Sequence, residues 1–457
     1  MEDRIIERLR EIAGSHNLLI SRDELLRYSS DGTKRNALAE AVVLPESTEQ
    51  VAAVAQLCTE EGVPLTPRGG GTGLSGGALA LNGGVGLSLT KMKRVREIVP
   101  EDLYVIVEAG MTTEQLHRTA QTAGLFYPPD PASGRYSTIG GDVATSARGL
   151  RGPKYGGTRN YLMGLEVVMP TGEVVNTGAR TVKSVAGYDL TRLICGSEGT
   201  LAIVTAAILK LIPLPEHRVT ILAAFKDNEK AAEVPRGVSQ AGVIPSALDF
   251  MDSAVADAVS KDFALPHDFT GCSLILAETD GFRDAAENEA DLIEKVCTDL
   301  GAVFTRRTSE PGERERLWEA RREVLTSLAE LHPVTILEHV HVPRNCVVEM
   351  VRSVTEIGKK QGLAIATFGH VSDGNLHPTI LVDQLISEKL GKVGKAVSEM
   401  SEQALSLGGV LSSEHRIGMR DGGFLRVKIE EEALDVMKRL KVAFDPKGIL
   451  NPGKLFA

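Results

Sequence analysis

Cysteine is scarce in this 457-residue chain, and Cys58, Cys195, Cys272, Cys297 and Cys346 are scattered with no CxxC spacing among them. That argues against a disulfide framework, a zinc ribbon or a cysteine-held iron–sulfur cluster, and for a reducing compartment. Long apolar runs are missing too: no stretch approaches the roughly 20 residues that a membrane span needs. The opening MEDRIIERLR is too charged to read as a signal peptide. Nor is there an excess of positive charge: 61 Asp and Glu against 51 Lys and Arg give a net −10, which disfavours nucleic acid as a partner. The expectation is a cytoplasmic protein without a transmembrane segment, peripheral to a membrane only through a partner. An acidic substrate then needs a local basic pocket.

What is present looks globular. With 42% apolar and 25% charged residues the composition is that of an ordinary folded protein, and the length favours two domains. Residues 41–66 read as a β-α-β unit: AVVL is a strand, Ser47 and Gln50 have capping-box spacing, and the helix TEQVAAVAQLCTEE ends at Gly62 before VPLTP. Strand DLYVIVEA, a helix over 112–123 and a hairpin around Pro170-Thr171-Gly172 follow. Pro213 and Pro215 suggest a boundary. Beyond them come strands HRVTILAAF and SLILAETDG and one charged helix, GERERLWEARREVLTSLAEL. The expected organisation is a first domain over 1–214, a second over 215–415, and a turn-rich C-terminal segment, 416–457, returning to the first.

Gly71, Gly73 and Gly76 satisfy GxGxxG, but the Rossmann fingerprint has to open a helix. GGALALNGGVG follows instead, and Pro64 and Pro67 lie in the strand before it. The spacing points to a loop whose bare backbone N–H groups approach a diphosphate, with a glycine-rich surface loop as the bland alternative. PPDPASGRYSTIGGDVAT (128–145) and GSEGTLAIVT (196–205) are two further loops of this kind, each beside a strand. Three such loops can wrap one long dinucleotide.

Six of the ten histidines fall within 84 residues of the second half: His332, His339, His341, His370, His377 and His415. AIATFGHVSDGNLHPTI reads as a hairpin turning at Asp373-Gly374, a type I′ signal. Counting outward sets His370 opposite His377, with Cβ atoms about 4.5–5.5 Å apart on one face. Two imidazoles so placed can share a metal ion, and Glu414 after VLSS is the candidate third ligand. Two His and one carboxylate leave coordination positions open, as catalytic sites do. His415 is then the candidate general base, with an orienting role as its alternative.

PRGGGTGLSGG, PPDPASGRYSTIGGDVAT, KYGGTRNYLMGLEVVMPTGEVV, GSEGTLAIVT, GHVSDGNLHP and SSEHRIG together resemble the flavoproteins of vanillyl-alcohol-oxidase type. Within them the chain is similar to the branch holding the glycolate oxidase D subunit, D-lactate dehydrogenases and D-2-hydroxyglutarate dehydrogenase. The resemblance implies an α+β fold: a two-subdomain FAD-binding domain plus a cap domain whose antiparallel sheet is flanked by helices. It implies FAD held by Pro67, Arg68, Gly69, Gly70, Gly71, Thr72, Gly73, Gly76 and Gly77 in the first loop. Pro131, Ser137, Thr138, Gly140, Gly141, Thr145, Ser146, Gly149 and Tyr155 follow, then Glu198, Gly199, Ile203, Val204 and Asn451. Members with covalent flavin often carry His in the first loop; Thr72-Gly73 stands there instead, so the FAD is expected to be non-covalent. Ser146-Ala147-Arg148-Gly149 departs from the small residues usual after the Gly-Gly pair. His339 and His341 stand where relatives often show Glu-Asp-Val.

The resemblance also implies one divalent metal (zinc, iron or manganese) on His370, His377 and Glu414, and a substrate-binding arginine at Arg321 or Arg322. Arg322 is preferred here, with a solvated charged helix as the bland alternative. The expected activity is oxidation of a small D-2-hydroxy acid (D-lactate, glycolate or D-2-hydroxyglutarate). Electrons would pass to an iron–sulfur subunit, an electron-transfer flavoprotein, a cytochrome or a quinone, with the chain in a homodimer or hetero-complex. Two other readings stay open: an FAD-carrying electron-transfer subunit, and a redox-neutral flavoenzyme of alkyldihydroxyacetonephosphate-synthase type.

Overall fold

The computed structural model describes residues 1–33, 35–262, 269–384, 387–410 and 429–456. Two compact units emerge. The first comprises Met1–Gly149, Gly156–Leu214 and His415–Ala457; the second comprises Leu150–Tyr155 and Pro215–Glu414.

The first unit holds two sheets. β1 (Leu18–Leu19), β2 (Ala41–Val43), β3 (Leu65–Arg68) and β4 (Val85–Ser88) run in the order β1-β2-β4-β3, with β2, β4 and β3 parallel. Parallel strands are covered on both faces, and all of β2 is buried. The helix Thr48–Glu61 joins β2 to β3. Ser47 caps it by accepting from the Gln50 N–H (3.3 Å), and Gly62 ends it in the left-handed region at φ 67°. The Gln50 side chain reaches back to the Glu46 N–H rather than to Ser47. Residues 69–84, between β3 and β4, form turns and no helix, which removes the Rossmann reading.

The second sheet of this unit is antiparallel. It contains β5 (Val95–Val99) and β6 (Tyr104–Glu108); β7 (Leu125–Phe126) lies apart. Then come β8 (Leu162–Val168), β9 (Val174–Gly178) and β10 (Ile203–Lys210), giving the order β5-β6-β10-β8-β9. β11 (Ile212–Pro213) pairs with β7. The hairpin of β8 and β9 forms at Pro170-Thr171-Gly172, with Gly172 at φ 97°. Thr112 and Gln115 close a capping box on the helix Thr113–Thr122.

The second unit is built on one antiparallel sheet. Its strands are β12 (His217–Phe225), β13 (Ala247–Met251), β14 (Ser273–Gly281), β15 (Phe304–Thr308), β16 (Val334–Leu337), β17 (Val340–His341), β18 (Ala364–His370) and β19 (Asn375–Val382). The order is β15-β12-β14-β13-β18-β19-β16, with β17 also paired to β19. Alternation sends successive side chains to opposite faces. Ile221, Phe225, Phe250, Ile275 and Ile380 share one core with Met350, Met400 and Ile293, which come from the helices Val347–Gln361, Ser387–Ser406 and Arg283–Asp299. Leu222, Met251, Leu274 and Phe368 share the other with Trp318 and Leu328. The charged segment expected as one helix is two, Pro311–Arg322 and Val324–Leu331, broken at Glu323. Among the described residues no helix is long and apolar enough to cross a membrane.

Candidate functional site

In the first unit three loops and the C-terminal segment meet. A Cβ on Gly69 would collide with the Thr138 hydroxyl, and one on Gly70 with the Tyr136 carbonyl oxygen. Loop 67–77 therefore lies on loop 131–141 with no room for side chains. Gly71 and Gly76 take φ of 70° and 81°, a conformation open to glycine at no steric cost. Gly73 differs: nothing lies within 4 Å of where its Cβ would stand, while the carbonyl oxygens of Thr72 and Gly73 pack against Gly32. Arg68 is folded back, its guanidinium filling the space a Gly71 side chain would need and reaching the Tyr28 carbonyl (3.3 Å). Burial lowers its pKa.

Thr138 caps the short helix Ile139–Thr145, which ends at Ser146 (φ 51°). Gly140 packs on Ala109, and Gly149 on the Asp130 carbonyl. The Pro131 carbonyl accepts from the Gly134 N–H at 2.9 Å, and Thr145 Oγ1 donates to the Gly141 carbonyl at 3.0 Å. The third loop is tied to this helix: the Gly196 N–H donates to the Val143 carbonyl (2.9 Å) and the Glu198 N–H to that of Ala144 (2.8 Å). Gly199 faces Pro67, and Ile203 and Val204 begin β10 in the core. Asn451 Nδ2 joins first and third loops by donating to the carbonyls of Gly77 (2.9 Å) and Glu198 (2.8 Å). Lys454 adds bonds to the carbonyls of Gly76 (2.6 Å) and Leu79 (2.8 Å). Burial pushes its ammonium down to about 8. Arg148 is exposed. Tyr155 belongs to the second unit, its hydroxyl donating to Asp280 (2.9 Å). Tight loop-on-loop contact beside the open space on the Cβ side of Gly73 fits an extended dinucleotide such as FAD.

Asp142 ties this region together, accepting from the Thr113 hydroxyl (2.5 Å) and more distantly from that of Ser137 (3.4 Å). Burial pushes its carboxyl up to about 7. A carboxyl raised in the folded state keeps a proton that the unfolded chain has lost. It therefore costs stability progressively as pH rises from about 4 to 7, and the cost is complete above that. Asp142→Asn should gain stability over the natural chain between pH 5 and pH 8, read from thermal unfolding at both. A difference independent of pH, or one shrinking with pH, contradicts this account of Asp142.

The second unit gathers four histidines, His339, His341, His370 and His377, on one sheet face. The hairpin forms, but not in the expected register: His370 pairs with Asn375 and Phe368 with His377, around a four-residue loop at 371–374. A type I′ turn needs φ above zero at both central residues; Gly374 has it (85°) and Asp373 does not. The loop is shaped by packing on Val342, whose N–H donates to the Gly374 carbonyl (3.0 Å). Because the register moved by two, every side chain kept its face. The rings of His370 and His377 are 5.6 Å apart and perpendicular.

Around them the sheet supplies partners. Asp249 on β13 accepts from His370 Nδ1 (2.8 Å), and its other carboxylate oxygen is ion-paired with Arg321. Burial alone would raise the Asp249 carboxyl, yet Arg321 and His370 hold its pKa below the ordinary value. The Arg321 guanidinium lies 4.8 Å from the centre of the Phe368 ring, which is 5.1 Å from His377. Leu337 opposes Thr379 and Val340 opposes Leu376, so His339 stands opposite His377, Nδ1 to Nδ1 at 2.7 Å. His341 stands opposite Asn375, and its backbone is bridged to Val410.

Of the two candidate arginines the structure places Arg321 in this cluster. Leu317, Trp318 and Arg321 share one stripe of the helix, and Trp318 Nε1 donates to Thr220 Oγ1 (3.1 Å) on the same sheet. Arg321 is buried, 4% exposed. Arg322 lies one position round and pairs with Glu315 at 3.1 Å. Asp249 was missed from sequence, although an acidic residue amid the apolar ALDFM is itself a signal.

No group of three His, Cys, Asp or Glu among the described residues is arranged to hold a metal ion. Glu414 and His415 lie outside the described residues. The two histidines are nonetheless of the type that serves as a metal-ligand pair: they stand side by side on one face, and each has its Nδ1 oriented by a neighbour, Asp249 for His370 and His339 for His377.

Comparison with known proteins bears on the family and the fold. Residues 39–178 match the FAD binding domain model, and residues 214–455 the model for FAD linked oxidases, C-terminal domain. The chain is 41% identical to glycolate oxidase subunit GlcD of Bacillus subtilis (strain 168), covering 99% of this chain and 96% of that one. It is 34% identical to a D-lactate dehydrogenase of Anaerostipes hadrus, over 99% and 97%. Solved structures of an alkyldihydroxyacetonephosphate synthase (TM-score 0.77, 19% identity, 99% of this chain and 85% of that one) and of p-cresol methylhydroxylase with substrate bound (0.77, 18%, 99% and 96%) share the fold. With an FAD-binding domain followed by this C-terminal domain, the chain belongs to the family of FAD-linked oxidases.

Proposed function

We propose that this protein is a dehydrogenase of small D-2-hydroxy acids that uses non-covalent FAD and one divalent metal. The observation that carries the reading is the buried cluster of Arg321, Asp249, His370 and His377 on one sheet face. An α-hydroxy carboxylate needs a cation for its carboxylate and a group that loosens its hydroxyl proton, and a guanidinium beside two imidazoles offers both. The relatives named for glycolate and D-lactate support the same substrate class.

In this reading Arg321 takes the substrate carboxylate with the guanidinium edge that Asp249 does not use. Asp249 and Phe368 keep that guanidinium from swinging away. His370, His377 and Glu414 would hold the metal, which would supply Lewis acidity to loosen the substrate's hydroxyl proton. Val410 is bridged to His341, and the four residues from there to Glu414 reach at most about 14 Å. His415 takes the hydroxyl proton, as an imidazole can near neutral pH. Bound FAD would supply the hydride acceptor for the substrate's C2. Onward transfer goes to a separate partner: an iron–sulfur subunit, electron-transfer flavoprotein, cytochrome or quinone.

The test is anaerobic bleaching of the yellow protein with stereoisomer pairs of lactate and 2-hydroxyglutarate, and with glycolate. The D isomer of at least one pair, or glycolate, should bleach it within seconds, and no L isomer should. A flavin left oxidised by every hydroxy acid would support the electron-transfer or redox-neutral alternatives instead.

A further inference from the structure

We propose that Lys454 is a positioning residue for FAD. Together with Asn451 it draws the carbonyls at the end of the first loop to one side, which turns the N–H groups of Gly77 and Ala78 the other way, to take the cofactor's diphosphate. Four consecutive carbonyls there accept from side chains. Lys454 Nζ donates to Gly76 (2.6 Å) and Leu79 (2.8 Å), Asn451 Nδ2 to Gly77 (2.9 Å) and Arg68 Nη1 to Ala78 (3.5 Å). In a trans peptide the N–H points opposite to the carbonyl before it. Holding the Gly76 and Gly77 carbonyls therefore aims the next two N–H groups away from Lys454 and Asn451. Neither N–H donates to a partner among the described residues. A Cβ on Gly77 would meet nothing closer than the Ser75 hydroxyl at 4.0 Å. Successive bare N–H groups beside unfilled space make an anion site.

The C-terminal segment is anchored firmly enough to hold these donors in place. The Leu65 N–H of β3 donates to the Ile449 carbonyl (2.8 Å), and the Asn451 N–H donates to the Leu65 carbonyl (2.8 Å). Asp445 accepts from the N–H groups of Ile449 (3.2 Å) and Leu450 (2.8 Å), and Lys441 Nζ donates to the Leu450 carbonyl (2.8 Å). Asn451 and Lys454 are both buried. The anions facing the Lys454 ammonium are Asp31 and Glu198, and Arg68 is a second cation facing Asp31. Burial outweighs the two anions and brings the ammonium down to about 8. Its charge is therefore present at pH 7 and lost as pH rises through that value. A diphosphate on the loop favours the charged amine, and by linkage the charged amine favours the diphosphate.

The test is the FAD dissociation constant of the full chain at pH 7 and pH 9, by equilibrium dialysis with free FAD read by fluorescence. Lys454→Met keeps the side chain's length and removes its charge and donors. It should weaken FAD roughly 10–100-fold at pH 7, the range for losing charged hydrogen bonds, and show little dependence on pH. The natural chain should lose affinity roughly three- to tenfold from pH 7 to pH 9. Lys447→Met gives up only a contact to the Thr59 carbonyl (2.8 Å) and should bind FAD as the natural chain does. Should Lys454→Met fail to fold, the pH profile of the natural chain decides alone. The proposal rests on FAD being non-covalent, and flavin that stays with acid-precipitated protein strikes both. Three results overturn the proposal by itself: a natural chain whose affinity is flat from pH 7 to pH 9, Lys454→Met within twofold of it at pH 7, or Lys447→Met weakening FAD as much as Lys454→Met does.

Discussion

Replacing Arg321 with alanine is expected to lower kcat/KM by about one to two decades, while Arg322→Ala changes it little. Losing a charge-assisted bidentate contact to a carboxylate costs roughly 1.5–3 kcal/mol. The variant should also unfold more easily, because Asp249 is fully buried and would keep its charge without its cation. Breaking such a pair from one side costs about 3–5 kcal/mol. Arg321→Lys separates the two effects, since it keeps a charge beside Asp249 but loses the planar fork. It should fold and hold FAD yet show a raised KM. Steady-state kinetics and thermal unfolding of the three variants decide the matter. A loss confined to Arg322→Ala would put the substrate carboxylate on the outer stripe of the helix.

The second large effect concerns the metal and the base. Alanine at His370, His377 or Glu414 should sharply cut metal occupancy while FAD stays bound, since the three glycine-bearing loops expected to hold it belong to the first unit. His415→Ala should keep the metal and slow flavin reduction about 10²–10⁴-fold, the range for losing a general base. Metal analysis beside flavin absorbance on each variant reads both quantities. If His415→Ala loses the metal as fully as the others, His415 is a ligand and the base is another residue.

Local chemistry was readable wherever one segment decides its own shape. Ser47 and Thr112 announce helix starts, Gly62 a helix end, and Pro170-Thr171-Gly172 a hairpin, because each acts within a few residues. The glycines of 69–77 excluded a helix for the same reason. What the sequence hid depends on distant partners. The turn at Asp373-Gly374 was misread because Val342, far along the chain, shapes it. Asp249 sits 121 residues before His370, and only strand order brings them together. That Arg321 rather than Arg322 is the buried one follows from the helix stripe it shares with Leu317 and Trp318. The His339–His377 contact needed the β16-to-β19 register before it could be seen.

The central claim is that D-2-hydroxy acid oxidation at the flavin depends on the metal held through His370 and His377. The most direct measurement is anaerobic stopped-flow flavin reduction by the substrate that bleaches best, before and after chelation and again after metal is restored. The account predicts reduction slowed by at least two decades without metal and recovered on its return, with FAD content constant and no recovery in His377→Ala. Metal-free protein reduced at the native rate would contradict it.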